Sequence, residues 1–309
     1  MRIAFVGNFR VDYSSENHHA KTLESLGHEV TRLQEGLATG DDILRHSLTA
    51  DLLVVVHTHG WITRGLPLVE VLKQLKGKVI TLTYHLDLWL GLERQKDLET
   101  DGFYKAIDHF FCTDKLMADW FNENTQVKGH FLPAGVFHEE VYTMDLPKTN
   151  DVIFVGSKNY HHEWNWRPQL INWLSETYKD KFKHFGGDGL GVIRGHELNR
   201  LYSSSKIVVG DTLCLNFNYP YYLSDRVFET TGRGGFLIMP YIKGIEDLFE
   251  IGKEIVTFQF GNFDDLKSKI DYYLEHDEER EAIRLAGFER TKKDHSYKLR
   301  WIKILEDIK

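Results

Sequence analysis

The feature that most constrains this chain is a series of short, almost continuous apolar runs. Each stops at glycine or a polar residue, and segments with helical spacing separate them. Runs at 2–6, 52–56, 79–83, 110–113 and 129–132 have the length and content of strands buried on both faces. Helical patterns at 17–26, 68–75 and 116–122 lie between them. Strand and helix in strict alternation predict a doubly wound parallel sheet. The stretch 143–150 holds Pro147 and no periodicity, which predicts a linker. The alternation then resumes, with strands at 152–155, 182–185, 206–209, 236–239 and 255–258. Helices are expected at 169–178, 197–203, 263–276 and 278–290, and from 297 onward.

The α/β pattern therefore predicts two Rossmann-like domains, 1–146 and 151–296, facing each other across a cleft. The last helix, 297–309, carries Trp301, Ile304 and Ile308 on one side and is expected to pack back on the first domain. In such sheets ligands bind beyond the carboxyl ends of the strands. Candidate residues are thus sought at Gly7-Asn8, His57-Thr58-His59-Gly60-Trp61, His85-Leu86-Asp87, Gly156-Ser157-Lys158, Gly186-Gly187-Asp188 and Gly210-Asp211.

Charge and cysteine content narrow the function. The 309 residues carry 38 Lys and Arg against 46 Asp and Glu, a net charge of −8, and a cut at Lys148 leaves both halves negative. Neither half has the bulk positive field of a protein that coats nucleic acid, although a local basic groove remains open. Two distant cysteines, Cys112 and Cys214, make neither a disulfide framework nor a zinc cluster and suit a reducing compartment. The opening apolar run is too short for a signal peptide, and no run approaches the ~20 residues that span a bilayer. The expectation is a soluble, cytoplasmic protein that does not insert into membranes.

The densest motif runs from Tyr221 to Pro240. Ser224 has the chemistry of a helix N-cap, and Val227, Phe228 and Thr231 form the buried side of a short helix. Arg226 in the first turn opposes the helix dipole unless an anion sits there, which suits a phosphate. Glu229, one turn later, can accept hydrogen bonds from two neighbouring hydroxyls, as a ribose presents them. The alternative is a solvated surface helix in which Arg226 and Glu229 pair at i,i+3.

Ser224-Asp225-Arg226-Val227-Phe228-Glu229, the 232–235 glycine turn and Gly244-Ile245-Glu246-Asp247-Leu248-Phe249 resemble group 1 glycosyltransferases, in the branch of the spore maturation protein CgeB. The tail, with Tyr272-Tyr273-Leu274, Arg280, Ala286-Gly287 and 295–300, is similar to that family's ending, and 132–136 resembles its approach to the interdomain linker. The resemblance is best over about 151–300. It implies the GT-B fold and transfer of a sugar from a nucleotide-activated donor such as a UDP-sugar. It places Glu229 on the donor ribose, and Arg226 and Ser224 near the diphosphate. It further implies that the Gly156-Ser157-Lys158 loop sends a cation, Lys158 or else Arg167, to the leaving diphosphate. Gly7 and Asn8 would meet the donor from the first domain. The family usually has a second glutamate eight positions before Glu229, and Tyr221 stands there instead.

Asp87 and His85 are the candidate acid–base pair, with Asp87 either deprotonating the acceptor or orienting His85. A packed histidine and a helix cap are the plainer alternatives. Trp61 is a candidate sugar-stacking ring. His161-His162-Glu163 lacks the i,i+4 histidine spacing of a zinc helix, and the chain has no Asp-x-Asp triplet, so no metal or other cofactor is expected. The expectation is a metal-independent glycosyltransferase acting on a glycan or a small molecule, with a modified DNA base as the alternative acceptor; the resemblance implies a retaining course, and an inverting one, with Asp87 as general base, stays open. A sugar-nucleotide 2-epimerase and a non-catalytic nucleotide-binding protein are the rivals on the same fold.

Overall fold

The computed structural model describes residues 1–56 and 63–309, so the His57–Trp61 candidates lie outside the described residues. The chain divides into two compact units. One comprises Met1–Ala134 with Tyr297–Lys309, and the other Gly135–Ser296.

The first unit holds β1 (Arg2–Gly7), β2 (Glu29–Gln34), β3 (Leu52–Val55), β4 (Ile80–His85), β5 (His109–Cys112) and β6 (Lys128–Phe131). Between them run α1 (Ser15–Ser25), α2 (Gly40–Ser47), α3 (Leu68–Leu75), α4 (Lys96–Thr100), α5 (Phe103–Ala106) and α6 (Lys115–Asn124). The sheet order is β2-β1-β3-β4-β5-β6, all parallel. Alternation along β1 and β3 explains the apolar runs. Ala4, Val6, Leu53 and Val55 enter one core with Leu72 and Phe121, whereas Ile3, Phe5, Leu52 and Val54 enter the opposite core with Leu23 and Trp301. The C-terminal helix Tyr297–Asp307 completes this second face. Its Trp301 indole donates to His19 Nδ1 at 3.0 Å, and Arg300 Nε donates to the Pro133 and Ala134 carbonyls at 2.7 and 3.0 Å.

The second unit contains β7 (Asn150–Val155), α7 (Trp166–Tyr178), β8 (Phe182–Phe185), α8 (Gly195–Ser203), β9 (Ser205–Val209), α9 (Arg226–Gly232), β10 (Leu237–Pro240), β11 (Val256–Phe258), α10 (Phe263–Glu275) and α11 (Asp277–Asp294). Its parallel sheet runs β11-β10-β9-β7-β8. The strand order reverses between β7 and β9, which puts a crevice at their carboxyl ends.

The units divide earlier than the aperiodic stretch suggests. The chain leading into that stretch and its start are held by the second unit: Asn199 Nδ2 donates to the Glu140 and Tyr142 carbonyls at 2.8 Å each, and the Met144 amide donates to Ser203 Oγ at 3.0 Å. Side-chain hydrogen bonds, rather than apolar periodicity, fix this segment.

Candidate active site

The crevice of the second unit is built where β7 ends. Gly156 follows the strand with φ of 138°, and a Cβ there would stand 2.7 Å from both terminal nitrogens of Arg226. The position therefore excludes a side chain twice, by backbone conformation and by the guanidinium lying against it. His184 Nε2 donates to the Gly156 carbonyl at 2.7 Å, and the Asp188 carboxylate accepts from the Lys158 amide at 2.9 and 3.0 Å. The loops after β7 and β8 thus brace one another.

Two arginines share this corner. Arg226 lies 5.4 Å from the Phe154 ring centre and Arg167 5.8 Å from it, with Arg167 also 4.3 Å over the Tyr160 ring. Arg167 is neutralised: its Nε donates to Asp211 Oδ2 at 2.8 Å, and Trp164 Nε1 donates to the same oxygen at 3.0 Å. Burial pushes the Asp211 carboxyl up and neighbouring Arg167 opposes that shift, while burial together with Arg226 pulls Arg167 down against the opposing pull of Asp211. Asp211 Oδ1, fully buried, has no hydrogen-bond partner among the described residues.

Arg226 is not neutralised. It makes no hydrogen bond or ion pair with any described residue, and its Nε is buried without a partner. The i,i+3 pair with Glu229 is absent. Glu229 is one-third exposed, and its nearest cation is Arg233, 3.9 Å away. Arg233 is itself committed to the Glu140 carboxylate and to Asn199 Oδ1 at 2.7 Å. Tyr202, a buried phenol pushed upward by that burial, has Arg226 and Glu229 close by. The crevice therefore offers one unpaired guanidinium, and a carboxylate one turn away that accepts no hydrogen bond among the described residues. That combination is suited to an anion attached to a diol.

The other sequence candidates fall as follows. Ser224 does not cap the helix. Asp225 precedes the first helical residue with helical backbone angles and no side-chain cap, and Ser224 Oγ is buried without a partner. The reason is position: the chain enters α9 through a Ser224–Val227 turn (3.3 Å), leaving Ser224 one residue too early to reach the orphan amides. Since α9 has only seven residues, the site rests on the Arg226 side chain more than on a helix dipole. Ser157 contributes its carbonyl to Arg167 Nη1 at 3.4 Å. The Lys158 ammonium is bound to Asn172 Oδ1 at 2.5 Å, more than a turn along α7 from Arg167. Arg167 thus joins Arg226 at the crevice while Lys158 points along α7. Tyr221 has φ of 55°, and its ring packs where a Cβ on Gly244 would be, 2.3 Å from its Cδ1.

In the first unit, Gly7 ends β1 against the Glu16 side chain, where a Cβ would meet Cγ at 2.8 Å. The Asn8 carbonyl accepts from Ser14 Oγ at 2.6 Å. His85 is buried, stacked on Phe110 and edge-on to Trp89, and its Nδ1 lies 3.4 Å from the Asp87 amide. Asp87 is exposed. Ligand atoms of His161, His162 and Glu163 lie within 4.8 Å of one another. Sequence reasoning gave little weight to Asp211, Trp164 and Phe154, which position the arginines. The available signal was an acid two residues beyond the buried strand β9, with an arginine at the start of α7.

Residues 154–306, just under half of the chain, match the family model described as "Glycosyl transferase-like". That match, to a glycosyltransferase-like domain, covers the crevice just described. A sequence search of curated proteins finds no match. Among solved structures the chain resembles HepE (Alr3699) of Anabaena in complex with UDP-glucose, at 12% identity and a TM-score of 0.71, covering all of both chains. It also resembles an alpha-glucosyltransferase in complex with UDP and a 13-mer DNA containing an HMU base, at 12% identity and TM-score 0.73, covering 99% of this chain and 98% of that one. Sucrose-phosphate synthase of Thermosynechococcus elongatus follows at 11% identity and TM-score 0.66, over 99% and 98%. These likenesses show the GT-B fold. Among the described residues no helix is long and apolar enough to cross a membrane.

Proposed function

We propose that this glycosyltransferase of GT-B architecture moves a sugar from a uridine-diphosphate donor to an acceptor hydroxyl, with the donor held in the crevice of the second unit. The observation that carries the reading is Arg226: a guanidinium that makes no hydrogen bond or ion pair with a described residue, pressed on Phe154 and Gly156 where the strand order reverses. A diphosphate supplies the missing negative charge, and Glu229 accepts from the ribose hydroxyls. Arg167, its charge balanced by Asp211, is fixed on the same side by Asp211 and the Trp164 indole that shares its carboxylate. UDP is favoured as the nucleotide because HepE and the alpha-glucosyltransferase are each described in complex with it.

In the reaction the bond from the anomeric carbon to the diphosphate oxygen breaks, and a bond from the acceptor oxygen forms. Negative charge grows on the departing diphosphate, and fixed guanidinium groups in a partly dry site stabilise that charge more than the ground state. The unpaired Arg226 guanidinium supports a mechanism in which a protein cation does the work of a divalent ion. For a retaining course the departing phosphate oxygen takes the acceptor proton. The exposed Asp87 then orients the acceptor hydroxyl, while the packed His85 supports its loop. Gly7 and Asn8 are assigned to the donor sugar, and a glycan or small molecule to the acceptor role.

The test is a thermal-shift screen with UDP, GDP, ADP and CMP, each with EDTA, Mg or Mn. The reading predicts stabilisation by UDP that persists in EDTA. Stabilisation by none of the four nucleotides overturns it, and stabilisation only with metal overturns the metal-independent course.

A further inference from the structure

We infer that the second unit has a separate carbohydrate subsite at the carboxyl ends of β10 and β11, which seats one neutral pyranose ring of an extended acceptor against Phe217 and Tyr241. A cleft of about 490 Å³ opens there, lined by Phe217, Tyr241, Phe258, Phe260, Thr257, Gln259 and Lys269. Phe217 and Tyr241 are 44% and 42% exposed, unusual for large rings sharing one cleft.

These rings are held. Phe217 stacks on Phe260 with centroids 4.7 Å apart and planes within 11°, and the edges of Trp164 and Trp166 close on it. Its ring lies over Gly261, where a Cβ would stand 3.2 Å away. The Tyr241 amide donates to the Phe258 carbonyl at 2.7 Å, and its hydroxyl to Glu246 at 3.1 Å. The loop that presents Phe217 is strained: Asn216, Phe217 and Tyr221 all take left-handed backbone angles, with φ of 54°, 57° and 55°. Left-handed non-glycine residues persist where the surroundings over-determine them, and they gather at ligand sites.

The polar groups select the ligand. Rigid aromatic faces beside an amide and hydroxyls match a sugar ring, which has apolar C–H faces and an equatorial belt of hydroxyls. The one lysine lining the cleft is neutralised, with Lys269 Nζ 2.5 Å from Asp265 Oδ1, and Tyr241 leans on a carboxylate. The cleft therefore offers no uncompensated cation to a phosphate backbone, which favours a neutral glycan over a nucleic-acid strand. The cleft lies two to three strands from β7, on the carboxyl side of the same sheet. A chain of sugars, unlike a single one, reaches that far. The inference rests on the glycan reading of the acceptor.

The test is a neutral-oligosaccharide array probed with the wild type, Phe217→Ala, Phe217→Trp and Tyr241→Ala, alongside a 12-mer of deoxythymidine and a UDP thermal shift on each variant. The expected result is retention of neutral glycans by the wild type and Phe217→Trp, a loss of at least tenfold for both alanine variants, and a UDP shift unchanged in Tyr241→Ala. No retained glycan, equal retention by both alanine variants, or preference for the oligonucleotide overturns the proposal. Glycan retention that depends on Phe217 without any UDP shift would instead remove the donor assignment and leave this subsite standing.

Discussion

Replacing Arg226 by alanine separates a binding cation from a structural one. Its guanidinium makes no hydrogen bond or ion pair with the described residues, so truncation removes little beyond its contact with Phe154. Such contacts are worth about 0.5–1 kcal/mol. Loss of its repulsion with Arg167 offsets part of that. The melting temperature should therefore fall by no more than about 4 °C, at roughly 2–4 °C per kcal/mol for units of this size. Binding is another matter. Charge-assisted hydrogen bonds contribute about 1.5–3 kcal/mol each, and a guanidinium can give a phosphate two. After discounting for partial exposure, a loss of about 2–3 kcal/mol corresponds to UDP binding weakened roughly 30- to 150-fold. Isothermal titration with UDP, beside a calorimetric melt of the same samples, reads both quantities. UDP affinity within threefold of wild type, or a melt lowered by about 10 °C, would refute the reasoning.

Four further substitutions have defined outcomes. Arg233→Ala leaves the Glu140 carboxylate without its buried partner and should cost about 3–5 kcal/mol, seen as a melt lowered by about 6–20 °C. Glu229→Gln touches only a 3.9 Å ion pair, so it should weaken UDP about tenfold with little change in the melt, whereas 2′-deoxy-UDP should lose much less between wild type and variant. Gly156→Ala, at φ of 138° and 2.7 Å from Arg226, should cost about 1–3 kcal/mol and weaken UDP as strongly as Arg226→Ala. His19 is fully buried, accepts from Trp301, and is held down to about 3. The unfolded chain takes up that proton near 6.5 while the folded chain does not, so stability falls as pH drops from about 6.5 towards 3. At pH 5 this amounts to about 2 kcal/mol, and His19→Gln should flatten the melt between pH 7 and pH 5 relative to wild type.

Strand positions were legible because burial on both faces forces apolar runs. Thus 52–56 and 152–155 lie within a residue or two of β3 and β7. The location of the crevice followed from the rule for strand ends, and Arg226 and Glu229 were singled out by residue type and spacing. The local detail was less visible. Ser224 has the right side chain for a cap, but a cap depends on a single residue of register, and the entry turn shifts α9 onward. Lys158 and Arg167 are equivalent as cations in sequence. Only the packed loop shows Lys158 turned to Asn172 and Arg167 locked to Asp211. The segment from Gly135 onward carries no periodicity because hydrogen bonds from Asn199 and Ser203, far along the chain, hold it.

The most direct test is a crystal structure of the protein with UDP. The account predicts diphosphate oxygens within hydrogen-bonding distance of the Arg226 guanidinium and ribose hydroxyls on the Glu229 carboxylate, at the carboxyl end of β7. Nucleotide bound elsewhere, with Arg226 still unpaired against Gly156, would contradict it.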